Sequence, residues 1–340
     1  MPNRRIAAFG EVMMRLQVPG YETLAQADTL KYSFSGTGVN VVSALSRYGH
    51  VGALVTRLPD NPLGDAAVAY LRKLGIDTAH VVRGGKYVGM YFLENGFGVR
   101  PSRVTYSNRL DSSFNTAPEG IYDFENIAAS MEAIHFDGIT LAMNDGVRSH
   151  MKALAEAVKR QGGKVIFDCN YRPSLWGEGG YAQAKPHYEA MLRLADIVMM
   201  NEKDALLTLG MATDQQDREE QLKELIPAVA ANYGISVIAG THRQIHRNNT
   251  HSLRGFLYKG ERFAFSDQLT FSVYDRIGAG DAFASGIIHG ELQGFALEKT
   301  VRFAAAAGML AHTVPGDTPM ATEAEILRAM EQSAAGDVER

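Results

Sequence analysis

A glycine-rich turn that leads into a helix constrains this chain more than any other feature. Residues 275–283 read Asp-Arg-Ile-Gly-Ala-Gly-Asp-Ala-Phe. Gly278 and Gly280 lack a Cβ, so backbone N–H groups can crowd around an anion, and the helix N-terminus adds partial positive charge. Asp281 follows in the first turn, where it can accept the proton of an attacking hydroxyl. An ordinary loop-to-helix junction with an acidic first turn is the alternative.

The whole pattern, Asp-x-x-Gly-Ala-Gly-Asp-Ala-Phe, is more specific than its glycines alone. It resembles the signature of the ribokinase (PfkB) family of sugar kinases. The resemblance implies ATP and Mg²⁺ as cofactors and leaves a requirement for a monovalent cation open. It implies that Asp281 is the catalytic base and that Gly278, Ala279 and Gly280 form the anion hole. Asp275, together with Gly278 and Gly280, is then expected to bind the nucleotide.

The composition limits the classes of protein that the chain can belong to. It has 340 residues, of which 46% are hydrophobic and 21% charged, enough for a large core without disulfides. A net charge of −4 without a basic stripe argues against nucleic acid as a partner. The apolar runs are too short for a signal peptide or a membrane helix, and there is a single cysteine, Cys169. We therefore expect a cytoplasmic protein without a membrane partner.

Short apolar segments alternate with amphipathic ones along most of the chain. Such alternation predicts a mostly parallel sheet with helices on both faces. Together with the resemblance, it predicts a ribokinase-like three-layer α/β sandwich that forms one domain over residues 1–340. The predicted strands cover 5–9, 51–56, 133–136, 165–168, 197–200 and 236–239, a predicted hairpin covers 252–259 and 262–266, and the main predicted helices cover 41–48, 61–75, 147–161, 180–194, 202–209, 216–233 and 297–311.

Two segments lie outside this alternation, at about 13–34 and 87–107. They contain short β-type runs, and glycines and a proline separate the two runs of the second segment. We expect them to form a small β lid over a sugar pocket. Open strand edges on such a lid favour a homodimer in which two lids pair.

A second glycine pattern precedes the first predicted helix. Gly36 and Gly38 suggest a dinucleotide-binding turn, but the third glycine of that motif is missing and no acidic ribose partner follows at a suitable spacing. The ribokinase family has Gly-Gly-x-Gly-x-Asn here, lining the sugar pocket. This chain has Ser35 in place of the first glycine, so Gly36, Gly38 and Asn40 carry the resemblance.

Residues 168–176 point to a subgroup of the family. The pattern Asp-x-Asn-Tyr-Arg-x-x-Leu-Trp resembles that of 2-keto-3-deoxygluconate kinases, in which the arginine meets the carboxylate of the sugar acid. The planar guanidinium of Arg172 matches a carboxylate in a bidentate manner. The alternative is a surface arginine in a Pro-Ser turn.

Two tyrosines lie in segments that resemble substrate-facing strands of the same subgroup. Tyr91 lies in Val-Gly-Met-Tyr-Phe, and Tyr106 ends Arg-Pro-Ser-Arg-Val-Thr-Tyr. The resemblance implies that both contact the sugar. The subgroup continues with an aspartate or tyrosine and then an arginine, whereas here Ser107 and Asn108 follow and Arg109 comes one place later.

The nucleotide side is recognisable in two places. Asn201 and Asp204 resemble the family's Asn-x-x-Glu, which organises Mg²⁺ and phosphate, and the shorter aspartate can act through water. Helix capping explains the same two residues equally well, so both roles stay open. Gly240, Thr241 and Arg243 end a predicted strand where the family contacts ATP phosphates, although an exposed loop is the simpler interpretation.

The resemblance thus implies an enzyme that moves the γ-phosphoryl group of ATP to a primary hydroxyl of a sugar acid. The expected reaction converts 2-keto-3-deoxygluconate to its 6-phosphate, and the alternative substrates are 5-keto-2-deoxygluconate, fructose or another ketohexose. A catalytically silent sugar sensor is disfavoured, because a sensor has no need of Asp281. Since a helix N-terminus favours negative charge, we expect the pKa of Asp281 to be lowered.

Overall fold

The computed structural model describes residues 4–246 and 249–331. These residues form two β-sheets and a set of helices around the larger sheet. The strands are β1 Arg5–Phe9, β2 Met13–Gln17, β3 Lys31–Ser35, β4 Val51–Leu58, β5 Val81–Arg83, β6 Gly89–Glu94, β7 Arg103–Ser107, β8 Ala133–Asp137, β9 Lys164–Asp168, β10 Ile197–Met199, β11 Val237–Ile245, β12 Thr250–Lys259, β13 Arg262–Phe265 and β14 Leu269–Ser272.

The larger sheet is mostly parallel, as predicted. Its order is β13-β12-β11-β10-β9-β8-β1-β4-β5, with β14 also paired to β12. Neighbouring strands from β5 to β11 pair in parallel, and β12, β13 and β14 add an antiparallel end. The register pairs Asp137 of β8 with Asp168 of β9. Two acidic residues therefore lie side by side at the carboxyl edge of the sheet, where α/β proteins place their ligands.

Helices cover both faces of this sheet. They are α1 Thr37–Arg47, α2 Pro62–Lys73, α3 Phe124–Ala129, α4 Gly138–Leu141, α5 Asp145–Arg160, α6 Pro173–Trp176, α7 Gly180–Leu192, α8 Arg218–Tyr233, α9 Ala279–Gln293, α10 Leu297–Ala311 and α11 Glu323–Glu331. Side chains of one strand alternate between the two faces. Val165 and Phe167 of β9 pack with α5 and α7, whereas Ile166 packs with α9 and α10. The predicted three-layer arrangement is confirmed.

Most predicted elements occur close to their predicted positions. The predicted strand at 5–9 and helix at 297–311 have the observed bounds. The helix predicted at 202–209 is a π-helical segment over Asp204–Thr208. The short strands β5 and β14 and the short helix α3 were not predicted, because runs of three to six residues carry too little periodicity. Among the described helices, none is long and apolar enough to cross a membrane.

Both predicted lid segments lie in the smaller sheet. Its order is β3-β2-β6-β7, in which β2 and β6 are parallel and the outer pairs are antiparallel. Tyr91 of β6 lies opposite Tyr106 of β7. Met13 and Tyr91 are buried in a small apolar cluster against which Ile277 of the glycine-rich turn packs. The lid sheet therefore contacts the turn directly, and a dimer formed through the open lid edges stays a prediction.

Helices α9 and α10 approach each other closely at Gly286. A Cβ added to Gly286 would lie 2.5 Å from the Cα of Ala304 on α10, closer than real contacts allow. The backbone of α10 cannot yield without moving the apolar cluster beneath it. This contact fixes α9, which carries the glycine-rich turn at its N-terminus.

We expect Gly286→Ala to destabilise the fold by about 1–3 kcal/mol, because the added methyl overpacks the contact between α9 and α10. Gly308→Ala is the matched control in α10, since its added Cβ would meet its nearest neighbour at an ordinary 3.5 Å. Alanine is the better helix former, so the control should leave stability unchanged or raise it by up to about 1 kcal/mol. Thermal and urea unfolding measure both; equal effects of the two variants would contradict the close-contact argument.

Candidate active site

The glycine-rich turn begins α9 through a backbone conformation that only glycine adopts readily. Gly278 is the residue before α9 and has φ +82°, in the left-handed region. A Cβ added there would lie 1.8 Å from the carbonyl oxygen of Asp317. The turn is thus packed against residues 316–318, and its N–H groups are available at the start of a fifteen-residue helix.

Asp281 lies in the first turn of α9 and is only 8% exposed. The Nδ2 of Asn40 on α1 donates a hydrogen bond of 2.7 Å to its Oδ2. The hydroxyl of Thr318 donates to Oδ1 of Asn40 at 3.3 Å, which orients the amide toward Asp281. The two predicted residues are therefore in direct contact.

The predicted lowering of the pKa of Asp281 is wrong. Burial raises the pKa of this carboxyl to about 7, although the hydrogen bond from Asn40 opposes the shift. The negative charges of Asp137 and Asp317 raise it further. Loss of hydration thus outweighs the helix N-terminus. The consequence is a carboxyl whose pKa lies near neutral pH, where a general base is most effective.

A cavity of about 550 Å³ lies between the lid and the carboxyl edge of the larger sheet. All six predicted substrate-binding residues line it: Gly36, Asn40, Tyr91, Tyr106, Arg172 and Asp281. The structure thus brings together residues that are up to 245 positions apart in the chain, by the difference between positions 36 and 281. Their roles toward a sugar stay predictions.

The hydroxyl of Tyr91 already has partners within the protein. It donates to Oδ2 of Asp317 at 2.7 Å and lies 3.1 Å from the hydroxyl of Ser35. Burial raises the pKa of Tyr91, and the negative charge of Asp317 adds to the effect. Tyr91 therefore presents its ring to the cavity as a neutral group, and it links the lid to the segment that contains Asp317.

After Tyr106 the sequence departs from the subgroup pattern, and the structure has a turn at this point. Asn108 has φ +53°, a left-handed conformation that asparagine tolerates better than most residues. The chain turns there, and Arg109 lines the cavity with its guanidinium 4.6 Å from the ring centroid of Tyr106. Nε of Arg109 donates to Glu11 at 3.0 Å, whereas its buried Nη1 has no partner among the residues that the structure describes.

A second cavity of about 560 Å³ adjoins the first. The predicted residues Asn201, Asp204, Gly240, Thr241 and Arg243 line it. Five residues line both cavities: Asp168, Asn170, Arg172, Arg243 and Gly280. The two cavities therefore meet at the glycine-rich turn.

Arginines gather where the two cavities meet. Arg172 and Arg243 line both cavities, and Arg276 lines the first. Burial lowers the pKa of Arg243, and the positive charges of Arg276 and Arg172 lower it further. Nη1 of Arg172 donates a hydrogen bond of 3.2 Å to the backbone carbonyl of its neighbour Tyr171. Cations that repel each other in this way favour an anionic ligand.

Asn201 and Asp204 cap the segment that follows β10. The backbone N–H of Asn201 donates to Oδ2 of Asp204 at 2.9 Å, and the N–H of Lys203 donates to Oδ1 of Asn201 at 2.9 Å. The capping interpretation is therefore confirmed. Within residues 4–246 and 249–331, no group of three or more His, Cys, Asp or Glu side chains could hold a metal ion. Burial raises the pKa of Asp204 to about 6, so its carboxylate lacks full compensation and fits a cation held through water.

Asp275 lines neither of the two cavities. Its Oδ1 accepts a hydrogen bond of 3.1 Å from the N–H of Ile277, and its Oδ2 forms an ion pair of 3.0 Å with Arg15 of the lid. Through these contacts Asp275 stabilises the glycine-rich turn and links it to the lid. Its predicted contact with the nucleotide stays a prediction.

Several buried acidic residues at the site escaped the sequence analysis: Glu11, Asp137 and Asp317. Glu11 and Asp137 each come at the end of a strand, β1 and β8, and that position alone could have indicated them. Asp317 lies in an irregular segment after α10, so the sequence carries no signal for it. Burial raises the pKa of both Glu11 and Asp137.

Comparisons with known proteins agree with this geometry. A crystal structure from Enterococcus faecalis, of a protein named as a 2-keto-3-deoxygluconate kinase, superposes with a TM-score of 0.95 at 38% identity, covering 99% of both chains. The 2-dehydro-3-deoxygluconokinase structure of Thermotoga maritima gives a TM-score of 0.92 at 32% identity, covering 97% of this chain and 100% of the other. A 2-dehydro-3-deoxygalactonokinase of Haloferax volcanii is 27% identical over 332 residues, which are 97% of this chain and 98% of the relative.

A family model also matches this chain. The model described as pfkB family carbohydrate kinase matches residues 3–237 and 250–324. These ranges span well over half of the chain and include the glycine-rich turn, Asn40 and Asp281. The protein therefore belongs to the pfkB family of carbohydrate kinases.

Proposed function

We propose that this sugar kinase transfers the γ-phosphoryl group of ATP to a primary hydroxyl of a sugar acid, 2-keto-3-deoxygluconate, and forms its 6-phosphate. One observation carries the proposal: Gly280 lies in the wall shared by two cavities, and Asp281 faces the one beneath the lid. A phosphoryl donor in the second cavity and an acceptor in the first would meet at the N-terminus of α9.

The proposed reaction uses the residues at that meeting point. The sugar hydroxyl oxygen attacks the γ-phosphorus, the bond from the γ-phosphorus to the bridging oxygen of ADP breaks, and the hydroxyl proton passes to Asp281. N–H groups at Gly278, Ala279 and Gly280 stabilise charge on the transferring group, where fixed donors contribute most. Asn40 holds the carboxylate of Asp281 in place by its hydrogen bond of 2.7 Å.

We propose that Asn201 and Asp204 hold Mg²⁺ through water on the nucleotide side, since both line the second cavity. When bound, Mg²⁺ neutralises phosphate charge and orients the phosphates for in-line transfer. Arg243 at the junction supplies further positive charge from the protein itself.

The first cavity has acidic as well as basic residues in its lining, and its arginines support an acidic sugar over a neutral one. Arg172, Arg243 and Arg276 line the first cavity together with Arg109, whose buried Nη1 has no partner within residues 4–246 and 249–331. A buried donor without a partner is costly, so it favours a ligand oxygen. The three relatives compared above are also named for 2-keto-3-deoxy sugar acids. We assign Arg172 to the carboxylate, with Gly36, Tyr91 and Tyr106 completing the pocket.

We further propose that residues 1–340 form one catalytic domain that acts in the cytoplasm as a dimer through the lid. The lid sheet ends in the open strands β3 and β7, and Tyr32 and Tyr106 on them are 55% and 45% exposed. Open strands with exposed aromatic side chains favour pairing with a second lid.

An assay of ATP consumption against a panel of sugars and sugar acids tests the proposed reaction. We expect turnover with 2-keto-3-deoxygluconate and a loss of several orders of magnitude in kcat for Asp281→Asn, with ATP binding retained, because the amide cannot accept the proton. Asp145→Asn is the control, since Asp145 lies in the first turn of α5 with its side chain 94% exposed.

Turnover of Asp281→Asn within about threefold of the wild type would remove Asp281 as the base. Preference of the wild type for fructose would overturn the substrate but leave the kinase reaction. Turnover on every acid and ketose of the panel that is no faster than ATP hydrolysis without sugar would favour the sensor.

The pKa of Asp281 predicts how activity depends on pH. Because its pKa is raised to about 7, the carboxyl is mostly protonated at pH 6, and kcat should fall about tenfold per pH unit below neutrality. The hydrogen bond from Asn40 favours the charged form, so Asn40→Ala should move this acid limb to higher pH. Substrate ionisation is common to both proteins and cancels in the comparison. An acid limb that stays in place or moves to lower pH contradicts the assignment.

Arg172→Lys tests recognition of the carboxylate. Lysine keeps the charge but loses the planar fork, so kcat/KM for 2-keto-3-deoxygluconate should fall roughly tenfold to a hundredfold. Neutral ketoses should lose much less. Arg160→Lys is the control, because Arg160 forms an exposed ion pair with Glu125 far from both cavities. Equal losses on acidic and neutral sugars would mean that Arg172 serves the phosphates or the fold instead.

A further inference from the structure

Arg15 of the lid strand β2 is buried to an unusual degree for an arginine, with its side chain 1% exposed. Its Nη1 lies 2.8 Å from Oδ1 of Asp317, and its Nη2 lies 3.0 Å from Oδ2 of Asp275. Nη2 also donates to Oε1 of Gln17 at 2.8 Å. One guanidinium thus joins the lid to two segments at the other end of the chain.

Both residues that Arg15 joins contact the backbone of the glycine-rich turn. Asp275 accepts hydrogen bonds from the N–H of Ile277 at 3.1 Å and from the N–H of Gly316 at 3.2 Å. The carbonyl of Asp317 lies against Gly278, in the space that a Cβ would fill. A shift of either carboxylate would therefore move the N–H groups of the turn.

Without a cation between them, Asp275 and Asp317 would be two buried carboxylates in close proximity, which is strongly unfavourable. Burial disfavours the charged form of Arg15, but the carboxylates of Asp317 and Asp275 outweigh burial and raise its pKa. Arg15 therefore stays protonated, and the positive charge between the two carboxylates belongs to the protein itself.

This arrangement bears on the monovalent cation that the family resemblance leaves open. A monovalent metal ion bound to Asp275 and Asp317 would have to compete with Arg15 for their carboxylate oxygens. Both oxygens of Asp275 accept hydrogen bonds, and Asp317 is bound through one oxygen to Arg15 and through the other to Tyr91. These two carboxylates therefore do not fit such an ion.

We propose that Arg15 is a positioning residue that acts as a resident cation: the lid supplies the charge that holds the anion-binding turn in place, so phosphoryl transfer needs no monovalent metal ion at these carboxylates. The kinetic part rests on the proposed kinase reaction. The structural part stands on the contacts of Arg15 alone, and each part has its own measurement.

The first measurement uses the wild-type protein in tetramethylammonium buffer, with and without K⁺ or Na⁺. We expect kcat to agree within about twofold across these salts, because the site already contains its cation. An activation by K⁺ of about tenfold or more would overturn the proposal.

The second measurement uses Arg15→Ala, with Arg5→Ala as the matched control. Arg5 also lies on a strand and forms a long-range ion pair, at 3.1 Å with Asp77, but it is remote from the turn. We expect Arg15→Ala to lose about a hundredfold or more in kcat with smaller changes in KM, as when one oxyanion donor is misplaced. Millimolar guanidinium should restore about tenfold of this loss, whereas urea, its neutral analogue, should not.

Two results of the second measurement would overturn the proposal: kcat of Arg15→Ala within about threefold of the wild type, or a loss that guanidinium leaves unchanged and Arg5→Ala shares.

The third measurement, amide hydrogen exchange, needs no turnover and also applies if Arg15→Ala does not fold. In Arg15→Lys, which keeps the charge but cannot span both carboxylates, the amides of Ile277 and Gly316 should exchange about tenfold faster than in the wild type. Amides of α5 serve as the internal reference. Unchanged exchange at Ile277 and Gly316 would show that Arg15 does not hold the turn, whatever the substrate of the enzyme is.

Discussion

The carboxylate of Asp281 lies in the protein interior, within the field of the carboxylates of Asp137 and Asp317. The proposed role as general base requires a site shielded from water, and burial makes the charge of the carboxylate expensive. The surrounding structure limits that cost with the amide of Asn40 and the guanidinium of Arg172. These two groups do not fully offset the cost of burial, so the carboxylate binds a proton near neutral pH.

The sequence was sufficient to predict the parts of the site that depend on local backbone. The glycine-rich turn, its helix and the parallel sheet follow from glycine conformation and strand periodicity, and the predicted residues of the sugar side meet in one cavity. The pKa of Asp281 was not predictable in this way. A helix N-terminus is a local feature, whereas the burial that outweighs it depends on the whole fold.

The ion pairs of Arg15 were also not predictable from the sequence. Its partners are 260 and 302 residues away in the chain, so no spacing rule connects them. One signal was present: Arg15 shares a strand face with Met13, and both are buried. A charged residue at an inward position of a lid strand needs an oppositely charged partner across the pocket. One of its partners, Asp317, lies in the irregular segment after α10, where the sequence shows no pattern.

The left-handed turn at Asn108 lies on the lid, while the base and the anion-binding turn belong to the main sheet and its helices. Tyr91, Tyr106 and Arg109 therefore reach the first cavity from the lid, whereas Asp281 and the turn reach it from the main sheet and its helices. A change in the chain after β7 can alter the lining of this cavity while the backbone of α9 stays in place. Under the proposed function, the substrate preference can therefore change at the lid edge without a change in the residues that transfer the phosphoryl group.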